Sequence, residues 1–277
     1  MFSGKPIGSG IIPKGKIAKR IVFTDKPAPR SKYIADVSLA QNGSVVRWKD
    51  GDTYYFSSQW PGAKIYPQSC VNLFAGMRKL ESIDVSMLGI DDTDLYCMFC
   101  GCHNLKSVDG LQNWDVGRVK GMGCMFSGCR SLTSLNGLQD WDVSRVERMA
   151  DMFTDCHSLE NIDELANWNV SRVKSLDSLF YECSSLKNVD GLRNWNVSNV
   201  QNMTQMFYNC YALQNIDGLV HWDVGRVKQM SAMFGRCFSL KNGDGIENWN
   251  VSQVEYTRNV FMDCSNLTTT PSWYHAN

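Results

Sequence analysis

The sequence predicts an α/β repeat solenoid, one short strand and one short helix per unit, closed at its amino end by a β-rich cap. Two observations carry this. Cysteines stand at positions 102, 129, 156, 183, 210, 237 and 264, each 27 residues after the last. Trp114, Trp141, Trp168, Trp195, Trp222 and Trp249 keep the same step. A fixed period of this size marks an array in which each unit buries its apolar face only against its neighbours.

Residues 1–69 lack the repeat and read as strands joined by tight turns: Ile21–Phe23, Ala35–Leu39, Val45–Trp48 and Thr53–Phe56. Asn42-Gly43 and Asp50-Gly51 between the later runs favour two-residue hairpin loops. The array is expected over 70–267. It begins with a degenerate unit, 74–98, in which Phe74, Met77, Leu80 and Ile83 anticipate Phe99, Cys102, Leu105 and Val108. Full units run from 99. Residues 268–277 form a tail, with Thr268–Trp273 expected as an edge strand.

One unit shows the reasoning. In 126–152, Cys129, Leu132 and Leu135 enter a short strand, Asn136-Gly137 turns the chain, and Leu138 and Trp141 fill the interior. Val146, Met149, Met152 and Phe153 follow at a spacing of about three, which predicts one face of a short helix. Ser144 with Glu147 has capping-box spacing, as do Ser198 with Gln201 and Ser252 with Glu255.

Lys plus Arg and Asp plus Glu are both 28. A balanced chain gives no electrostatic reason to expect nucleic acid or an anionic membrane. Met1–Pro6 lacks the apolar run of a signal peptide and no window approaches a membrane span, so the chain as written is expected in the cytosol. Eleven cysteines, an odd number, mostly occupy one repeated place, as a column of reduced, buried thiols would. Cys97-x-x-Cys100 has ligand-like spacing, but Cys102 and Cys129 belong to the interior column and no metal is assigned. No cofactor is expected. No catalytic constellation stands out from the repeat grammar, so the chain is expected not to be an enzyme.

Comparing units separates scaffold from surface. After the cysteine come His103, Arg130, His157, Ser184, Tyr211, Phe238 and Ser265; just before it come Gly101, Gly128, Asp155, Glu182, Asn209, Arg236 and Asp263. Tyr181, Tyr208, Tyr211 and Phe238 would meet on neighbouring coils as an aromatic patch, the typical anchor of a protein interface, or else simply cover helix ends. The second candidate is the strand face, where Asn161, Asn188 and Asn215 run beside Asp163, Asp190 and Asp217. Turn chemistry is the plainer role for Asn or Asp before Gly.

The unit Met206-Phe207-Tyr208-Asn209-Cys210-Tyr211-Ala212-Leu213, continuing through Ile216-Asp217-Gly218-Leu219 to Trp222-Asp223-Val224-Gly225, resembles the repeats of BspA-like leucine-rich-repeat surface proteins of bacteria. The run from Ala35 to Phe74 looks like the same family, so the resemblance covers about 35–270. It implies a leucine-rich-repeat solenoid that binds proteins, often as a cell-surface or host-adhesive factor. The expected partner is a protein, host or cell-surface, bound by a monomer or weakly self-associating chain. A structural scaffold that self-associates or organises a complex is the alternative. Cell-surface or secreted placement follows only if another export route exists.

Overall fold

Successive bends, each about three residues long, build one coil of this protein. In the computed structural model, which describes residues 5–7, 12, 18–32 and 34–275, the coil from Phe153 turns every third side chain inward. Phe153, Cys156, Leu159, Ile162, Leu165 and Trp168 are all buried, followed by Val170, Val173, Leu176 and Leu179. The N–H groups of Cys156, Leu159, Leu165, Trp168 and Val173 each donate to the carbonyl three residues back, at 2.9–3.2 Å. These are turn hydrogen bonds. Met1–Gly4 and residues 276–277, assigned by sequence to the cap and the tail, lie outside the described residues.

The amino-terminal segment supplies β1 (Lys5–Ile7), β2 (Arg20–Thr24), β3 (Ala35–Asp36), β4 (Val46–Asp50), β5 (Thr53–Ser57) and β6 (Ile65–Pro67). The first two repeats add β7 (Ser82–Asp84) and β8 (Ser107–Asp109). One sheet has the order β3-β4-β5-β2-β7-β8, and β1 pairs with β6 in a second. Strand β2 lies parallel to both neighbours, with Phe23 opposite Phe56 and Ile21 opposite Ile83. All four side chains are buried, so the early strands and the array share one apolar core. The β4–β5 loop is Gly51-Asp52, one residue later than expected, since Asp50 pairs with Thr53 and Gly51 takes the positive φ of 55°. Asn42-Gly43 makes no two-residue hairpin. Its loop is organised by Asp36, whose carboxylate accepts from Ser38 N, Ser38 Oγ and Gly43 N.

Neighbouring coils are joined by evenly spaced parallel bonds. Leu176, Ser178, Phe180 and Glu182 N–H groups donate to Asn202, Thr204, Met206 and Tyr208 carbonyls at 2.8–2.9 Å. Ser178 and Glu182 are left-handed (φ 53° and 60°), as are their equivalents along the array, among them Asp151, Asp155, Gln205 and Asn209. These left-handed residues break up the ladder, leaving isolated bridges such as Ser175↔Asn202↔Gln229↔Tyr256.

Four expectations are corrected here. The helix expected over Val146–Phe153 does not form, because its spacing of three arises from successive bends and the inter-coil ladder. The capping-box serine is instead the end of an Asx turn: Ser144 N donates to Asp142 Oδ1, and Ser198 N to Asn196 Oδ1. The repeated strand exists only as β7 and β8; the unit of Leu135 has neither strand nor helix at this place, and from the unit after it the strand's end is a one-turn 3-10 helix, at Asp163–Leu165, Asp190–Leu192, Asp217–Leu219 and Asp244–Ile246. The change occurs at Glu164. Earlier units hold left-handed glycines there, Gly110 and Gly137 (φ 91° and 95°). Gly191 and Gly218 serve a different need, since a Cβ on either would overlap the carbonyl of Ile162 or Val189 in the preceding coil. Thr268–Trp273 forms no strand, only a single bridge between Thr269 and Asn242.

Polar atoms inside the stack are matched coil by coil. Each column thiol from Cys129 to Cys264 donates to the phenylalanine carbonyl 30 residues back, at 3.0–3.3 Å. From Trp141 to Trp249, each indole Nε1 donates to a leucine carbonyl of the preceding coil at 2.8–3.1 Å. Trp273 continues that column, donating to Ile246 O at 3.0 Å and stacking on Trp249 at 6.5 Å. The Phe column, Phe74 through Phe261, stacks at 5.2–5.8 Å between ring centres. Its rings are nearly parallel and buried, a geometry that adds about 0.5–1.5 kcal/mol per pair beyond area burial.

Candidate protein-recognition face

Tyr181 and Tyr208 follow the column phenylalanines of successive coils, so the inter-coil ladder holds them in register. Their rings stack at 5.4 Å and 10°. Gly235, next in that column, leaves room for the Tyr208 ring, because a Cβ there would approach Tyr208 Cδ2 to 2.7 Å. Tyr211 and Phe238, which follow the column cysteines, stack at 5.1 Å and 11°. The Arg236 guanidinium lies 5.7 Å from the Phe238 ring centre. Tyr211 is exposed at 38%, and the other three rings are half-buried. The structure thus places the four aromatics as two stacked pairs, sharing the coil of Tyr208 and Tyr211.

Between the pairs runs the left-handed column of Glu182, Asn209 and Arg236. Asn209 is 5% exposed and donates through Nδ2 to Glu182 Oε1 at 3.2 Å. Burial and the nearby Glu182 carboxylate push the Tyr181 hydroxyl above its ordinary pKa.

The Asn/Asp candidates are divided in role. Asn188 Oδ1 accepts from Asp190 N at 3.1 Å and Asn215 Oδ1 from Asp217 N at 3.4 Å, so these asparagines form the turn that opens each 3-10 helix. Asp163, Asp190 and Asp217 form an exposed column, with Asp190 also paired to Arg193 at 3.3 Å. Asn161 is exposed one coil earlier. This column belongs to the start of the 3-10 helices, and the alternating strand face expected from sequence is absent there.

A grouping that the sequence did not single out joins two variable columns. Asp155, His157 and Glu182 each offer one ligand-type atom, all within 4.8 Å of one another. Sequence comparison places Asp155 and Glu182 in one column and His157 in another; only the stacking brings the two columns together. Burial raises Cys100 to about 11 and Cys124 to about 12. All eleven cysteines, each within the described residues, are free thiols.

The stacked coils, apolar columns and variable outer residues define a repeat protein. Residues 93–216 and 186–276 match the family described as "Mycoplasma protein of unknown function, DUF285", together more than half of the chain. The chain belongs to this family, a BspA-like repeat family, as its motifs suggested. Two solved structures are similar. One is the T. pallidum leucine-rich-repeat protein, at 16% identity and TM-score 0.37, covering 65% of this chain and 73% of that one. The other is a leucine-rich cell surface protein from Faecalibacterium prausnitzii, at 15% identity and TM-score 0.35, covering 93% and 88%. No curated protein matches the chain. Among the described residues, no helix is long and apolar enough to cross a membrane.

Proposed function

We propose that the chain is a non-enzymatic, leucine-rich-repeat-type solenoid that recognises a partner protein, and that it acts as an adhesive factor at a cell surface. The observation that carries this reading is the pair of aromatic stacks, Tyr181 on Tyr208 and Tyr211 on Phe238, held outward on adjoining coils. Rings fixed in advance lose little freedom on binding, and aromatic side chains with a neighbouring arginine are the usual energetic centre of an interface. The bordering charges, Glu182 and Arg236, give such a face orientation and partner choice. The Asp163, Asp190 and Asp217 column supplies a second, acidic edge that favours a basic segment of the partner.

The test is affinity capture from host-cell and bacterial surface extracts. Wild type is compared with a Tyr208→Ala/Tyr211→Ala variant and an Asp190→Ala/Asp217→Ala variant. Loss of a specific captured protein with the aromatic variant supports the reading, and an unchanged captured set refutes it. Sedimentation over a concentration series runs beside it. Oligomers that the aromatic variant abolishes would make the same face a self-association surface, and the protein an assembly scaffold.

A further inference from the structure

His157 Nε2 stands 2.5 Å from Asp155 Oδ1 and 3.6 Å from Glu182 Oε2. At the shorter contact the imidazole meets Asp155 Oδ1, an oxygen sealed from solvent, as an ion-pair contact without hydrogen-bond geometry. A buried carboxylate oxygen without a well-aligned donor is costly, and a cation shared with the imidazole would satisfy both groups. The other oxygen of each carboxylate is already engaged. Arg130 Nε holds Asp155 Oδ2 at 2.8 Å, and Asn209 Nδ2 holds Glu182 Oε1 at 3.2 Å. Asn209 is itself almost wholly buried. One oxygen of each acid is therefore fixed by an outer partner while the other turns toward the imidazole, which is how metal-binding carboxylates are oriented.

The backbone sets this arrangement in advance. Asp155 and Glu182 are left-handed, and their N–H groups donate to Tyr181 O at 2.7 Å and Tyr208 O at 2.8 Å. The combination arises once along the array. The acidic column is Gly101 and Gly128 before these coils and Asn209, Arg236 and Asp263 after them, while the His157 column holds His103 and Arg130 before and Ser184, Tyr211, Phe238 and Ser265 after, so no other histidine of that column has acids beside it on two adjoining coils.

We propose that Asp155, His157 and Glu182 bind a divalent transition-metal ion, with zinc the best match. A neutral imidazole with two carboxylate oxygens suits zinc, whereas calcium and magnesium call for more oxygen ligands. Zinc holds such atoms at about 2.0–2.2 Å, which separates neighbouring ligand atoms by roughly 3.3–3.6 Å. Nε2 and Glu182 Oε2 already have that separation, and Asp155 Oδ1 reaches it by withdrawing roughly 1 Å from the imidazole. With Arg130 beside them, two carboxylates leave net negative charge for the cation to neutralise. Three protein ligands leave an open position for water or for a side chain of a partner. The site stands independently of the proposed recognition role.

Untagged protein, stripped with a chelator, is titrated with zinc chloride by calorimetry. The expected result is one ion per chain, with affinity lowered about 100-fold or more in His157→Ala and in His157→Gln, and about 10-fold in Asn209→Ala, whose side chain only orients Glu182. Circular dichroism melts of each variant verify folding, and zinc should raise the melting temperature of the wild type but not of His157→Ala. A Cys97→Ser/Cys100→Ser/Cys124→Ser variant should bind as the wild type does, and cobalt in place of zinc should show no thiolate charge-transfer band. The proposal is overturned if the wild type takes up no zinc, or if His157→Ala and His157→Gln bind undiminished. Zinc that the serine variant loses would assign the ion to the thiols instead and equally overturn it.

Discussion

Replacing Trp195 tests whether the columns hold the stack together. Its side chain is 3% exposed, stacks on Trp168 at 6.4 Å, and donates from Nε1 to Leu165 O at 2.9 Å. Trp195→Ala removes the ring from a site walled by neighbouring coils, which leaves a cavity and costs about 3–5 kcal/mol. Trp195→Phe keeps most of the apolar contact but strands the Leu165 carbonyl, a loss of about 1–3 kcal/mol. Trp273→Ala should cost less than Trp195→Ala, because Trp273 is only half-buried at the end of the column. Urea unfolding followed by circular dichroism gives these differences, and hydrogen exchange shows where they act. Each coil is supported only by its neighbours, so the lesion should raise exchange most in the coils adjoining Trp195. A Trp195→Ala loss below about 1 kcal/mol, or exchange raised evenly over the chain, would refute the reasoning.

Glycine provides a matched pair of tests. Gly218→Ala should cost roughly 1–3 kcal/mol, since its Cβ meets the Val189 carbonyl. Gly117→Ala should be neutral or stabilising by about 0.4–1 kcal/mol, because its nearest neighbours stand at 3.4 Å. Thermal melts of both variants decide this, and equal effects would contradict it. Alkali should weaken the fold. Cys102, Cys129, Cys156, Cys183, Cys210 and Cys237 are fully buried. Burial raises Cys102 to about 12 and the others further. The folded state therefore keeps protons that the unfolded chain sheds above about pH 8.5, and stability falls as pH rises by up to about 1.4 kcal/mol per thiol per pH unit. A Cys156→Ala/Cys183→Ala variant should lose stability less steeply between about pH 8.5 and pH 10, as measured by urea unfolding. Parallel pH slopes for the variant and the wild type would count against buried, protonated columns. Alkylation under native conditions should spare these buried thiols and modify them only after unfolding in urea.

The inward columns were legible because one side chain recurs wherever one environment recurs. Cys, Trp and Phe were read as interior, and they are. The polar half of that arrangement was not legible. Cysteine looked like a small apolar residue, yet each column thiol also donates to a carbonyl one coil back, so serine or alanine would not be equivalent there. The expected helix failed for a definite reason. An apolar spacing of three is produced equally by one face of a helix and by consecutive three-residue bends, and the sequence signal does not separate them. Aspartate or asparagine two residues before serine was the available clue, since an Asx turn uses that spacing and competes with the capping box.

The surface was legible by column but not across columns. Tyr181 and Tyr208 share one repeat position, as do Tyr211 and Phe238, so the step of 27 residues put them on neighbouring coils, where they form two stacked pairs rather than one continuous patch. Asp155, His157 and Glu182 meet along a diagonal, two residues apart within one coil and one coil apart beyond it. How far a diagonal reaches depends on the twist of each bend, which here is fixed by left-handed residues at Asp155 and Glu182. Those positions accept glycine, aspartate, glutamate, asparagine and arginine along the array, so no residue type announces the conformation. A repeat sequence therefore specifies its core by periodicity and its outer face by exceptions to it. Two acids and a histidine on adjoining coils become a site only because the periodic core carries them to one place.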